Sequence, residues 1–525
     1  MTTLRDLGLT DLPAVTGQDA TFGTDGWWSD GSRVAAVVVP VAPGEAEDAG
    51  VEPRPGAADA AARYGIDIVD LASRSRLTGK AGQTAVLDLP RPVAGRDFGW
   101  ADLPARLVVV GIGDGGPRAM RTVGSAICRA TAGLGTVVTT VGSATDDAGL
   151  AALAEGFWLT AYRGPRRAQG DRPGQPPAEQ LVLLGNGSPA DADVLARARA
   201  GATATCRARF LAATPSNIKD PQWLVDQAHA LAAGMPGVSV ESHDEEWLRR
   251  HGMGALLAVG AGSASPPRLV TVRWTPPAAD RSGRTVVLVG KGITFDTGGI
   301  SLKPRDAMVG MKTDMAGAAA VLAATLAAAE QRSPHTVVGV LALAENAVGA
   351  ASYRPGDVVR GYDGTTIEVS NTDAEGRMVL ADAIAWARAE LAPDVIVDLA
   401  TLTGAATLGL GRTHAALYSD DDALAAALVA AGERSGERAW RMPLAASYRP
   451  ALDSTVADIS HQALDPTIAG GSITAALFLQ HFAAGTRWAH LDIAGAGRAT
   501  KATDEIPEGP TGYGARLLLR WLADL

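Results

Sequence analysis

Apolar positions along this chain fall into two alternating rhythms. Short, continuous, β-branched runs such as RVAAVVVPV at 33–41 and RLVVVG at 106–111 predict strands buried on both faces. Longer alanine-rich stretches at 57–64, 117–132 and 145–161 predict helices, the second opened by Pro117. Further strands are predicted at 83–89, 136–141 and 180–184. Residues 1–30 show no period and read as irregular, with Trp27 and Trp28 as a packing anchor. Residues 163–178 (RGPRRAQGDRPGQPPA) are dense in proline, glycine and arginine and read as a loop. Strand and helix alternate, so the first part of the chain predicts an α/β layered domain.

The rhythm continues beyond a long alanine- and arginine-rich helix at 191–213, whose end is punctuated by Pro215 and Pro221. Strands are predicted at 238–242, 268–274, 285–290, 336–343, 366–370, 395–399 and 488–493. Helices are predicted at 222–233, 245–252, 315–329, 377–390, 423–431, 473–482 and 513–523, and 443–468 reads as mostly irregular. The helix at 315–329 is apolar nearly all round, which predicts burial. The expected architecture is α/β in two domains, each a mixed sheet flanked by helices. Residues 1–188 form the N-terminal domain, 189–215 the connecting helix, and 216–525 the C-terminal domain.

Composition narrows the classes. The chain has 525 residues, 47% hydrophobic and 20% charged, and so is globular with more than one core. A net charge of −10 disfavours a general nucleic-acid or anionic-membrane binder. The two cysteines, Cys128 and Cys206, lie far apart without metal-ligand spacing and read as buried small hydrophobes in a reducing compartment. Residues 1–19 lack the apolar core of a secretory signal, and no run approaches the ~20 apolar residues needed to span a bilayer. A cytoplasmic protein is expected.

Polar residues cluster where strands end. Asn371-Thr372-Asp373-Ala374-Glu375-Gly376-Arg377 places two carboxylates and a guanidinium on a strand-to-helix turn, the edge at which α/β sheets bind ligands. A helix start there also offers free amides to an anion. A second polar loop, 290–304 (GKGITFDTGGISLKP), displays Lys291, Asp296 and Lys303, and Asp314 opens the helix that follows. Four acids in one cleft repel one another unless cations neutralise them, and two divalent ions sharing carboxylates would do so. The eight histidines (His229, His243, His251, His335, His414, His461, His481 and His490) all fall outside the two clusters. The expected site is therefore oxygen-rich, suited to Mn or Mg with Zn open. Gly111–Gly116 (GIGDGG) follows a strand, but its spacing and the lack of an acid after the next strand favour a tight turn over a dinucleotide loop.

NTDAEGR at 371–377, KGITFDTGGISLK at 291–303 and residues 311–314 resemble the signatures of the leucyl aminopeptidase family, the cytosolic aminopeptidase family of dimetal exopeptidases. The resemblance spans about 200–525, including 401–404 and 488–495, while the first 185 residues match only in general layout, macro-domain-like and variable among members. It implies two divalent metal ions per subunit, Mn or Zn with Mg possible, bridged by Asp296 and Glu375. Asp373 completes one metal position, and Lys291 (as a neutral amine) and Asp314 the other. Lys303 would stabilise the oxyanion. Arg377 would hold bicarbonate as general base toward a metal-bridged water, with Ala374, Gly376 and Leu402 helping to seat it. Met311, Thr401, Gly404 and Ala494 would line the side-chain pocket. Gly497 departs from the larger apolar residue frequent in relatives and implies a roomier pocket, which puts the leucine-like preference in question. The implied activity is release of N-terminal amino acids from peptides by a cytoplasmic homo-hexamer.

Two alternatives stand beside this. Another two-metal hydrolase, such as a phosphatase, would use the same carboxylate logic. A DNA-binding architectural member of the same family would use a basic patch, with Arg163, Arg166, Arg167 and Arg172 as the candidate.

Overall fold

The computed structural model describes residues 4, 9, 11–24, 34–45, 50–90, 100, 102–165, 174–278, 283–465 and 467–525. Trp27, Trp28, Arg166, Arg167 and Arg172 lie outside the described residues. The chain divides into two compact units, one comprising Thr10–Thr203 with Ala502–Pro507, the other Ala204–Lys501 with Glu508–Leu525. The helix Pro189–Ala213 runs through the division.

The first unit is built on β1 (Ala14–Gln18), β2 (Val34–Pro43), β3 (Val51–Pro53), β4 (Thr84–Asp88), β5 (Arg106–Gly111), β6 (Thr136–Thr139) and β7 (Gln180–Leu184). Their order is β1-β7-β6-β2-β5-β4, with β3 paired to β2. β4 and β3 run antiparallel to their neighbours, and the other pairs are parallel, so the sheet is mixed. Val37, Val39, Leu107 and Val109 form its core. β1 corrects the reading of 1–30 as irregular. Its register with β7 supplies a period that five residues cannot show alone. In the GIGDGG turn Gly113 and Gly115 have positive φ and Asp114 accepts the Gly116 amide, so the segment serves as a tight turn. Cys128 and Cys206 are buried and free.

The second unit carries β8 (Val238–His243), β9 (Arg268–Trp274), β10 (Thr285–Asp296), β11 (Thr336–Asn346), β12 (Val358–Arg360), β13 (Thr366–Glu368), β14 (Val395–Ala400), β15 (Ala415–Tyr418), β16 (Ala439–Arg441), β17 (Ile459–Ser460) and β18 (Trp488–Asp492). Eight of them form one sheet in the order β16-β15-β18-β14-β10-β11-β9-β8. β10 lies between β11 and β14 and is parallel to both, so their carboxyl ends open on one edge. Val287, Val289 and Ile293 pack with Met378, Leu380 and Ile384 of the helix Glu375–Leu391. By the pleat, Val286 and Leu288 face the other side, where the helix Ala316–Glu330 touches the sheet. Gly317 permits that contact, since a Cβ there would meet the Leu399 carbonyl oxygen at 2.1 Å.

Three further expectations change. Residues 290–296 are not a loop: β10 continues through Lys291 to Asp296, paired with β11 up to Ile293 and again at Asp296. The 366–370 strand is not part of the main sheet, because β13 pairs with β12 and β17 in a separate three-stranded sheet. One stretch, Arg305–Glu330, is long and apolar enough by composition to cross a membrane. It is interrupted by the turn Met311–Thr313, and Ala316–Ala329 are all buried against the protein, as a core helix requires.

Candidate metal centre

Each acid of the cluster is delivered by a different element. Asp296 ends β10, just past an irregularity in the β10–β11 register that re-aims its side chain. Asp314 closes the turn Met311–Thr313 ahead of the Ala316–Glu330 helix. Asp373 lies on the turn at 371–374, and Glu375 is the first residue of the Glu375–Leu391 helix, two residues earlier than expected. Asp296, Asp314 and Glu375 are buried and each offers an oxygen within 4.8 Å of the others. Asp373 is partly exposed at the rim.

Two ammoniums are threaded between these acids. Lys291 Nζ lies 2.9 Å from Asp314 Oδ2 and 2.8 Å from Glu375 Oε1, and donates to the Thr401 carbonyl at 2.8 Å. Lys303 Nζ lies 2.9 Å from Asp296 Oδ2 and also contacts Asp373 Oδ1. Gly376 is required here, because a Cβ would fall 2.7 Å from Cδ, Cε and Nζ of Lys291. Burial raises the carboxyls of Asp296, Asp314 and Asp373 above their ordinary range, against the pull of the lysines. Burial alone would lower Lys291 and Lys303, but the surrounding carboxylates more than offset it and hold both above the usual lysine value. Four carboxylates facing two ammoniums leave negative charge in excess, in a buried space lined by oxygen donors. The donor set fits hard divalent cations.

Beside the acids is a buried cation of the opposite need. Arg377 is 6% exposed. Its Nη1 donates to the His461 carbonyl at 2.8 Å, while its Nε has no partner among the described residues. Burial lowers its pKa to about 10. The helix it helps open has no side-chain cap. The Ala374 amide closes the turn onto the Asn371 carbonyl, and the Leu402 amide donates to Asp492. Of the four residues expected around an anion, Gly376 and Arg377 therefore keep donors in hand, and Ala374 and Leu402 have theirs engaged.

The cluster rests on a framework that sequence reading missed. Asn346 Nδ2 donates to Asp296 Oδ1 at 2.8 Å and to the Thr372 carbonyl at 3.0 Å, and Tyr353 donates to the same carbonyl. His461 Nδ1 accepts the Ser370 amide and its Nε2 bonds the Asn371 carbonyl, so the ring holds the turn from behind. Burial beside Arg377 lowers its pKa to about 4, keeping it neutral. Asp492 accepts from the amides of Leu402, Thr403 and Ala494 and from the Thr403 hydroxyl at 2.6 Å. Thr401 in turn donates to Asp314 Oδ1 at 2.7 Å. His490 is the expected structural strand histidine: it is buried and bonded to Asp398, which also accepts from Trp488. The strand-end positions of Asn346 and Asp492 were a usable signal; nothing local marked His461.

A sheet whose carboxyl edge gathers buried acids and lysines defines a metal-competent hydrolase site. Comparison with known proteins narrows this. The sequence pattern of the cytosol aminopeptidase family matches over its catalytic domain at residues 206–519 and over its N-terminal domain at 38–167. The probable cytosol aminopeptidase of Streptomyces coelicolor is 41% identical, over 93% of this chain and 96% of that protein. That of Caulobacter vibrioides is 40% identical, over 86% and 89%. Among solved structures, a tomato leucine aminopeptidase mutant superposes with a TM-score of 0.82 at 30% identity, covering 99% of both chains. The bottromycin maturation enzyme BotP in complex with Mn gives 0.78 at 35% identity, covering 94% of this chain and 99% of that one. This chain belongs to the cytosol aminopeptidase family and is a peptidase of the aminopeptidase type.

Proposed function

We propose that the chain is a dimetal aminopeptidase that removes N-terminal residues from peptides, with its chemistry at the Lys291–Arg377 cluster. The observation that carries this reading is the mutual approach of Asp296, Asp314 and Glu375 within 4.8 Å, all buried. Asp296 and Glu375 would hold two divalent ions jointly, with Asp373 on one and Lys291 and Asp314 on the other. A Mn-bound relative supports manganese, with zinc or magnesium as other occupants. When bound, such a pair lowers the pKa of water and polarises a carbonyl.

The protein's own groups supply the rest. Lys291, held protonated here by the surrounding carboxylates, would serve as a ligand through a neutral amine once cations take over that neutralisation, its N–H to the Thr401 carbonyl fixing its direction. Lys303 retains its proton at the rim and meets the oxygen on which negative charge develops. Arg377, through its Nε, and the Gly376 amide would hold a bicarbonate ion as general base, flanked by Ala374 and Leu402. His461 cannot take that role, since both ring nitrogens are bonded to backbone. Met311, Thr401, Gly404 and Ala494 would surround the substrate side chain, and a leucine-like residue fits an apolar wall of this kind. Residues 1–188, the helix at 189–215 and residues 216–525 would be the functional divisions. A cytoplasmic homo-hexamer is proposed on the family resemblance. No observation favours the DNA-binding alternative: Arg163 is bonded to the Gly174 and Gln175 carbonyls.

The test of the general-base assignment is bicarbonate dependence. Added bicarbonate should raise turnover of leucine p-nitroanilide by the Mn-loaded protein in a bicarbonate-free buffer, and should not do so in Arg377→Ala. Equal stimulation of both would remove Arg377 from the role.

A further inference from the structure

The turn that delivers Asp314 hangs from a buried lysine. The helix Pro189–Ala213 ends on the Ala212 and Ala213 carbonyls, acceptors for which a helix has no partners of its own. Two lysines of the second unit take them. Lys219 Nζ donates to the Ala212 carbonyl at 2.9 Å, and Lys312 Nζ to the Ala213 carbonyl at 3.0 Å. Cationic groups suit this end, where the helix dipole is negative. Lys219 Nζ has a second acceptor, the Lys312 carbonyl. One amine thus joins the end of the helix to the middle of the turn Met311–Thr313.

Lys219 is itself firmly placed. It is 1% exposed, its amide is bonded to the Pro215 carbonyl at 3.0 Å, and the next residue, Asp220, caps the helix Pro221–Ala232. No carboxylate pairs with it among the described residues. Burial, with the Lys312 charge nearby, lowers its pKa well below the ordinary lysine value. An amine buried without a counter-ion costs stability, and the two carbonyl bonds offset that cost. What the turn carries is Asp314, whose amide closes onto the Met311 carbonyl at 3.1 Å, so its backbone follows that of Lys312. A shift of the turn would move the Asp314 carboxylate away from Lys291, now 2.9 Å from it.

We propose that Lys219 is a positioning residue of the metal centre: by tying the Lys312 carbonyl to the end of the helix Pro189–Ala213, it sets the turn at 311–313 and with it the reach of Asp314 toward the ion shared with Lys291. This rests on the dimetal reading and goes beyond it, since the Lys219 side chain bonds only backbone carbonyls and ligates nothing.

The experiment titrates metal-stripped full-length protein with Mn, reading free Mn by its electron paramagnetic resonance signal, and compares the parent with Lys219→Met and Lys312→Met. Methionine keeps the apolar stem of Lys219 and donates nothing. In Lys219→Met one ion should bind about 10–100-fold more weakly, the scale on which losing a group behind a ligand acts, and the other as in the parent. Its kcat for leucine p-nitroanilide at saturating Mn should stay close to the parent's, the defect lying in the Mn concentration required. Lys312→Met removes the bond to the Ala213 carbonyl and leaves the Lys219 link, so its titration should overlay the parent's. An unchanged titration in folded Lys219→Met would reduce Lys219 to a helix cap, and equal weakening in both variants would mean general damage to the helix end; either overturns the proposal. If Lys219→Met does not fold, Lys219→Gln, whose amide still donates, goes through the same titration and the same two outcomes decide. Absence of Mn binding in the parent overturns the dimetal reading, and the proposal with it.

Discussion

Replacing Asp492 by Asn should disable the site without touching any group assigned to chemistry. Asp492 is buried at the end of β18 and accepts four donors: the Leu402, Thr403 and Ala494 amides and the Thr403 hydroxyl. It thereby fixes the segment at 401–404, whose Thr401 bonds both Lys291 and Asp314. An asparagine keeps the shape but has one acceptor oxygen, and its amide nitrogen must face a donor on one side. A bond to a charged acceptor contributes about 1.5–3 kcal/mol, a neutral one about 0.5–1.5 kcal/mol. Losing one bond and weakening the others therefore costs about 3 kcal/mol locally. Hydrogen exchange of a peptide covering 400–406 should speed up about a hundredfold, at 1.36 kcal/mol per factor of ten. A displacement of the Thr401 segment should reduce kcat by roughly the same factor, since a misplacement on the order of 1 Å is enough. Unchanged exchange and kcat within twofold of the parent would reduce Asp492 to a dispensable buried acid with no part in holding the Thr401 segment.

Lys303→Met should lower kcat about 10²–10³-fold, the scale of losing one oxyanion donor, with little change in bound manganese measured by elemental analysis. A parallel loss of metal would instead make Lys303 part of the ion-holding framework. Asp382 gives a pH-dependent prediction. It is buried, accepts the Leu256 and Tyr362 amides at 2.8 Å, and burial pushes its pKa up to about 7. The fold thus binds this proton more tightly than the unfolded chain, so the group's contribution to stability is largest below the unfolded pKa and declines as pH rises to about 7. The total is about 4 kcal/mol, from roughly three pKa units. Urea midpoints at pH 4.5 and pH 8 should show the parent losing stability relative to Asp382→Asn; parallel curves would contradict it.

The parts of this centre legible in the sequence were those coded within a few residues. NTDAEGR puts its acids, glycine and arginine on a turn by local rules, and the β-branched runs of β2, β5 and β10 read as strands because burial on both faces demands continuous apolar residues. Lys291 and Asp296 were recognised as chemical groups but misread as loop residues. Glycine and charge mark a loop in isolation, whereas here the β11 ladder and the opposing acids satisfy them inside a strand. The Thr366–Glu368 strand was visible, but its partners were not, since pairing with Ile459–Ser460 spans about ninety residues. The same distance hid His461. Asn346 is set opposite Asp296 by sheet register, which no local pattern reveals.

The acids at 296, 314 and 375, buried, and Asp373, partly exposed beside them, are the proposed holders of the ions that make this chain an aminopeptidase. The most direct measurement is hydrolysis of leucine p-nitroanilide by metal-stripped protein, with and without added Mn, beside Asp373→Ala. No turnover is expected without metal, recovery on adding Mn, and little or none in the variant. Full activity in the stripped protein, or equal recovery in Asp373→Ala, would contradict it.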